Sequence, residues 1–298
     1  MKFHPGEIEI QTRAGVRKNA EQVGAGIHDS IPPAAKAFLE AQRAVFLATV
    51  DETGQPWASV LTGAPGFIHA IDQRNVAIAA SLAPDDPMMR TLAREGHVAL
   101  LAIDFATRRR IRLNGVGSLS SGVIHIAMRQ VYGNCPKYIQ ARTITGETVA
   151  KPAPEAARSP ELLIDQRRII SHADTFIIAT DHTAQGADIS HRGGDPGFVI
   201  VLDGQRIEFP DYSGNRMFNT LGNLAINPRA GLLFIDFTSG RTLQLVGKAS
   251  IDWDRDHTDS IPGAERVIGF DIEEVVDRDG GFPLRTIFHE YSHFNPKF

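Results

Sequence analysis

The chain has a single cysteine, Cys135, in 298 residues. One thiol excludes an internal disulfide and fits a reducing compartment. No apolar run reaches the roughly 18 residues that a membrane-spanning helix needs, so no membrane association is expected. Net charge is also small. The 31 Lys and Arg against 35 Asp and Glu leave a formal −4, so nucleic-acid binding through a basic surface is not indicated. The opening MKFHPGEIEIQTRAG lacks the apolar stretch of a secretory signal. A cytoplasmic location is the expectation.

What the chain does have is an internal repeat. Residues 98–119 read VALLAIDFATRRRIRLNGVGSL and residues 230–251 read AGLLFIDFTSGRTLQLVGKASI, with nine of 22 positions identical. Unrelated sequence would share roughly one or two. Upstream, Phe46-Leu47-Ala48-Thr49 answers Phe176-Ile177-Ile178-Ala179, and Pro65-Gly66-Phe67 answers Pro196-Gly197-Phe198. A duplicated unit implies two similar domains, with a ligand cleft expected between them.

Each unit reads as short strands with one helix. Val45–Val50 and Pro56–Leu61 flank the turn Asp51–Gly54, a hairpin signal. Phe67–Ile71 and Val76–Ala80 form a second hairpin, Pro84–Arg94 a short helix, and Val98–Phe105 and Arg109–Ser118 two more strands. The second unit follows with Phe176–Thr180, Ala187–His191, Phe198–Leu202, Ile207–Phe209, a helix near Asn215–Leu224, then Gly231–Phe237 and Thr242–Ile251. Six strands and a helix suggest a small closed barrel. The expected fold is therefore mainly β, with flanking helices.

Residues 1–33 read as a polar N-terminal arm, 34–135 as the first repeat, and 136–172 as a linker with helical segments. The second repeat takes 173–255 and a C-terminal extension 256–298. Ala34–Ala44, Ile124–Val131 and Leu162–His172 read as helices, and 151–160 as a Pro/Ala linker.

Chemistry gathers in the second unit. Arg192 ends a strand and opens the Gly193-Gly194 turn, so its guanidinium could fork onto a phosphate. The two glycines would let a ligand ring approach the backbone. Ser213-Gly214-Asn215-Arg216 opens a helix, and a helix start beside an arginine suits an anion.

These segments, SHRGGDPGFV, PDYSGNRMFNTLGNL, NPRAGLLFIDF and ATRRRIRLNG, together resemble the pyridoxamine 5′-phosphate oxidase-like flavoproteins over roughly residues 40–255. The resemblance implies two tandem FMN-binding split β-barrels forming an intramolecular pseudo-dimer, with FMN at their interface. In it the phosphate would meet Arg192 and the group Asn215, Arg216 and Asn219. The ring would run along Ser190, His191, Pro210 and Asp211. The partner barrel would contribute from the run 108–112. Successive strand residues face opposite sides, which selects Arg110 and Arg112.

The first unit has Leu61 where the second has Arg192, and Asp85 and Asp86 at its helix start. Like charge there disfavours a phosphate, so one FMN per chain is expected, held mainly by the second unit. The implied activity is that of an FMN-dependent oxidoreductase acting on a small-molecule substrate, with a nicotinamide as electron donor. The alternative is a non-catalytic flavin carrier or sensor, or a barrel that takes haem or a deazaflavin. No side chain is selected as catalytic acid or base. True pyridoxamine-phosphate oxidase activity is not expected, because the tail lacks that enzyme's Arg-containing ending.

His289-Glu290-Tyr291-Ser292-His293 matches the HExxH pattern. It stands too near the chain end for a third ligand, so no metal is expected. The tail could instead pair two chains in a homodimer. Cys135 reads as a small buried residue, and Asp104 and Asp236 as turn residues.

Overall fold

The computed structural model of the chain describes residues 3–80, 83, 85–147 and 155–297. Three helices come first: α1 (Pro5–Arg13), α2 (Arg17–Gly24) and α3 (Pro33–Glu40). The first repeat then runs β1 (Ala44–Val50), β2 (Pro56–Thr62), β3 (Ile68–Ala70), β4 (Asn75–Ile78), α4 (Pro87–Thr91), β5 (Gly96–Asp104), β6 (Arg109–Ser120) and β7 (Val123–Gly133). The connection carries β8 (Ala141–Glu147), β9 (Ala157–Ser159) and α5 (Ile164–His172). The second repeat follows with β10 (Thr175–His182), β11 (Gly186–Gly193), β12 (Ile200–Val201), β13 (Arg206–Tyr212), α6 (Asn219–Ile226), β14 (Arg229–Ile235), β15 (Thr242–Asp252), α7 (Arg255–Asp259) and β16 (Ala264–Arg278). Finally β17 (Leu284–Glu290) pairs antiparallel with β8.

The two sheets have one topology. The first is ordered β2-β1-β5-β6-β7-β4-β3 and the second β11-β10-β14-β15-β16-β13-β12. Each path is open at its ends, so these are two tandem split barrels rather than closed ones, packed as an intramolecular pseudo-dimer. Even the irregularities recur. Register shifts at Asn114/Gly115 and at Val246/Gly247, and both places need glycine: an added Cβ would lie 2.0 Å from the Ala127 carbonyl oxygen or 1.9 Å from that of Asp271.

Strand alternation splits the core into three. Val45, Leu47, Leu100 and Ala102 fill the first barrel; Phe176, Ile178, Leu232 and Phe234 fill the second. The opposite faces of the same strands meet between barrels: Ala44, Phe46, Ala48, Leu101 and Ile103 against Ile177, Ala179, Ile189, Leu233 and Ile235. Burial on both faces explains why β1, β5, β10 and β14 are nearly continuous apolar runs.

The structure corrects several expectations. Phe46 pairs with Leu101, and Phe176 pairs with Phe234, whose counterpart is Ala102. The counterpart of Phe176 is thus Val45, one residue from the expected match, and a slip of one reverses every face. Ile124–Val131 is strand β7, not helix: Ile124, Ile126 and Met128 point inward at period two. The first sheet therefore has seven strands, not six, and the second has eight, because β9 also pairs with β16. The second sheet runs on to Arg278 through β16, past the expected boundary at 255. Residues 1–33 carry helices that bury Ile10, Gln11 and Ala20. The predicted helix at 84–94 is only α4, with Pro84 outside the described residues, and part of the 151–160 linker lies outside them too. Among the described residues no helix is long and apolar enough to cross a membrane.

Candidate functional site

A cleft of about 790 Å³, a figure that includes its open solvent space, lies where β6 of the first repeat meets β11, β13 and the start of α6 in the second. All eleven residues expected at the site border it: Ser190, His191, Arg192, Gly193, Pro210, Asp211, Asn215, Arg216, Asn219, Arg110 and Arg112. So do Lys137, Tyr138, Tyr212, Phe218, Thr220, Glu265 and Arg266, which the sequence reading either left unplaced or missed. Arg266 gives no signal, because its strand lies beyond the stretch that the two repeats share in sequence.

The lining is strongly cationic. Five arginines and Lys137 face two carboxylates, Asp211 and Glu265. Asp211 is gripped from two sides, by Arg192 Nη1 at 3.0 Å and by Arg266 through Nε at 2.9 Å and Nη2 at 2.7 Å. Arg112 is committed to Asp188 at 2.9 Å, a buried pair that ties β6 of one repeat to β11 of the other. Lys137 lies over the Phe294 ring, 5.4 Å from its centroid, and two arginines are left over. Arg216 is exposed, sits at φ 62°, and has no acceptor among the described residues. Among the described residues Arg110 has no carboxylate: its one side-chain neighbour at hydrogen-bond range is His191 Nδ1, at 3.2 Å. Burial, reinforced by Arg112 and Arg192, pushes the Arg110 guanidinium down to about 9. Arg110 is half-buried, and a cation withdrawn from water without a counter-ion is costly and marks a place for an anion.

His191 answers to the same field. Burial first, then Arg110 and Arg192, hold its imidazole well below the usual range, so it is neutral at neutral pH. A guanidinium only donates, so Nδ1 accepts from Arg110 and the ring proton resides on Nε2. That Nε2 is buried and unpartnered, as are Nε of Arg110 and Arg192 and the hydroxyl of Tyr212. All four atoms belong to residues that border the cavity.

Helix α6 adds more. Its cap, Phe218, is left-handed (φ 61°) and offers no side-chain oxygen to the first N–H groups. The helix starts at Asn219 rather than near Asn215. Asn215 instead braces the preceding loop, accepting from the Met217 N–H at 3.0 Å and reaching Asn134 of the first repeat at 3.4 Å. Thr220 Oγ1 donates to Ser190 Oγ at 2.9 Å, and the Tyr138 and Tyr212 rings pack 5.2 Å apart. The glycines act differently from expectation. A Cβ on Gly193 would lie 2.1 Å from the Tyr138 carbonyl oxygen, and one on Gly194 would strike Phe198. Both make room for protein rather than for a ligand.

The matching place in the first repeat is closed. Leu61 stands where Arg192 does, Asp86 caps its own helix through the Met88 N–H at 2.9 Å and accepts from Ser59 at 2.9 Å, and Asp85 pairs with Arg278 at 2.7 Å. The HExxH residues do not form a metal-binding helix, since His289 and Glu290 end strand β17, bonded to Thr143 and Arg108.

The sequence model of the family described as pyridoxamine 5′-phosphate oxidase matches the chain twice, over residues 31–159 and 164–280. No curated protein matches it. Among solved structures it is similar to a putative pyridoxamine 5′-phosphate oxidase from Lactobacillus delbrueckii, at 16% identity and a TM-score of 0.34, over 41% of this chain and 98% of that one. A second is a Clostridium acetobutylicum protein of the pyridoxinephosphate oxidase family, at 16% identity and TM-score 0.32, over 43% and 92%. A third is a FAD-binding protein from Mesorhizobium loti, at 16% identity and TM-score 0.30, over 42% and 97%.

Proposed function

The chain belongs to the pyridoxamine 5′-phosphate oxidase family as a tandem two-repeat member, and from that premise we propose that it holds FMN in the cavity between its repeats and acts as an oxidoreductase on a small molecule. The observation that carries this reading is the pair of guanidiniums without a carboxylate, Arg110 and Arg216, beside an uncapped helix start. A chain with a formal charge of −4 concentrates six positive side chains here. An anionic ligand would find donors already in place.

Arg192, Arg216 and the first N–H groups of α6 would hold the phosphate. Tyr138, Tyr212 and Phe218 supply the apolar surface against which a flat ring packs. Arg110 would meet a polar edge of that ring, and the neutral His191 would donate through Nε2. When bound, FMN supplies hydride or electron transfer at its N5, and the protein supplies orientation and electrostatics. A nicotinamide is the proposed electron donor. One flavin per chain follows from the closed first-repeat site.

The test begins with the absorbance spectrum of the purified protein and the mass of whatever it releases. A yellow protein whose flavin bleaches with a nicotinamide donor and recolours in air supports the oxidoreductase. One that stays yellow throughout supports a carrier. Arg192→Ala combined with Arg216→Ala should release FMN. Undiminished flavin in that variant overturns the site assignment.

A further inference from the structure

Helices α1 and α2 lie before residue 31, outside both family matches, yet α1 reaches the cavity wall. It crosses α6 at backbone contact. A Cβ on Gly6 would lie 2.2 Å from the Gly222 carbonyl oxygen, and one on Gly222 would lie 2.6 Å from the Glu7 nitrogen. Gln11 Nε2 also donates to the Met217 carbonyl at 2.7 Å. This crossing sets Glu7, only 5% exposed, against the first residue of α6.

Glu7 holds two fixed partners. Its Oε2 accepts the His4 backbone N–H at 2.8 Å, and its Oε1 accepts Asn219 Nδ2 at 2.5 Å. Among the described residues, His4 is the one basic side chain within ion-pair distance, at 3.6 Å. Burial, then His182 on β10, hold His4 down to about 4, so it is neutral. The other groups facing Glu7 are Asp188 on β11, Arg112 on β6 and the phenol of Tyr132 on β7. Burial pushes the Glu7 carboxyl up to about 7, against the opposing pull of the His4 and Asn219 donors.

Hydrogen-bond accounting then fixes two arrangements. A backbone N–H only donates, so the oxygen facing His4 accepts in either state of Glu7. Ionised, Oε1 accepts from Asn219 Nδ2, and Oδ1 is the amide atom left for a ligand. Neutral, the proton sits on Oε1 and donates to Asn219 Oδ1, and the amide turns over to leave Nδ2. Asn219 borders the cavity. We propose that Glu7 is a positioning residue for the anion site, turning the Asn219 amide so that an acceptor faces the ligand when Glu7 is ionised and a donor when it is neutral. The proposal rests on the anion-site reading above.

Glu7→Gln provides the decisive variant. Its Oε1 must accept from His4, so its Nε2 faces Asn219 and fixes the neutral-state arrangement at every pH. The probe is sulfate, whose charge does not change near neutrality, titrated into the intact protein by calorimetry from about pH 6 to about pH 8.5. The wild type should lose about tenfold in affinity across that range, the scale of one hydrogen bond to a charged group. Glu7→Gln should stay tight and flat, and Asn219→Ala should be weak and flat. A flat wild-type profile, or the same step in Glu7→Gln, overturns the proposal but leaves the anion site standing. Should Glu7→Gln fail to fold, a step that persists in Asn219→Ala overturns it equally. No sulfate binding at any pH overturns both readings.

Discussion

At the start of α4, Asp86 turns its own carboxylate onto the helix, Asp85 neutralises Arg278 from the opposite repeat, and Leu61 fills the strand end. At the start of α6 the cap has no side-chain oxygen, Arg216 lacks an acceptor among the described residues, and Arg192 fills the strand end. The backbone topology and the paired bulges are the same. A handful of polar side chains thus decides whether a barrel junction is sealed or receptive. In the sealed copy the protein supplies its own anions, and in the open copy it leaves two guanidiniums without one among the described residues.

The contrast can be broken most forcefully across the junction. Arg112 and Gln244 occupy equivalent positions on β6 and β15; Arg112 pairs with Asp188, while Gln244 donates to the Ala58 carbonyl at 2.9 Å and to Ser59 at 3.0 Å. Arg112→Ala strands a buried carboxylate and should cost about 3–5 kcal/mol in urea unfolding. Gln244→Ala should cost about 1 kcal/mol. Equal losses would remove the asymmetry. The bulges should behave alike: Gly115→Ala and Gly247→Ala each force a strand away from a facing carbonyl, at about 1–3 kcal/mol. A large difference between them would mean that the repeats are less equivalent than their registers indicate.

A smaller effect concerns Glu7, which packs on α6. Its folded value of about 7 exceeds the ordinary 4.5, so the stability it contributes is full below about 4.5 and is lost as pH rises through 7. Glu7→Gln should therefore melt about 5 °C above the wild type at about pH 8.5, with the gap closing near about pH 5. Scanning calorimetry across that range would show a constant gap if the carboxyl is not the cause. Smallest is Asp86→Ala, a lost cap worth about 1 kcal/mol, with no change in bound flavin. Flavin lost from that variant would tie the sealed junction to the open one.

The sequence made the barrel strands legible wherever both faces were apolar, because long runs such as Val98–Ile103 admit few alternatives. It also placed the arginines and turn residues around one cavity. What it hid was hidden for physical reasons. Strand β7 alternates Ile124, Ile126 and Met128 with exposed His125 and Ala127 on an outer face, and so short a mixed run also fits a helix. Strand β16 carries five acidic residues and so resembled a solvated tail, which concealed Arg266 at the cavity. Helix α1 is anchored through His4, Glu7 and Gln11 as well as Ile10, and polar anchors leave little apolar periodicity to read.

The fused interface has one more consequence. Where two identical chains associate about a twofold axis, every substitution is made twice and its cost is counted twice. Here the shared apolar layer of Phe46, Leu101, Ile177 and Leu233 holds the halves together within one polypeptide, so each change is made once. One junction can then be given over to cohesion and its counterpart to chemistry, an allocation that a symmetric pair cannot make.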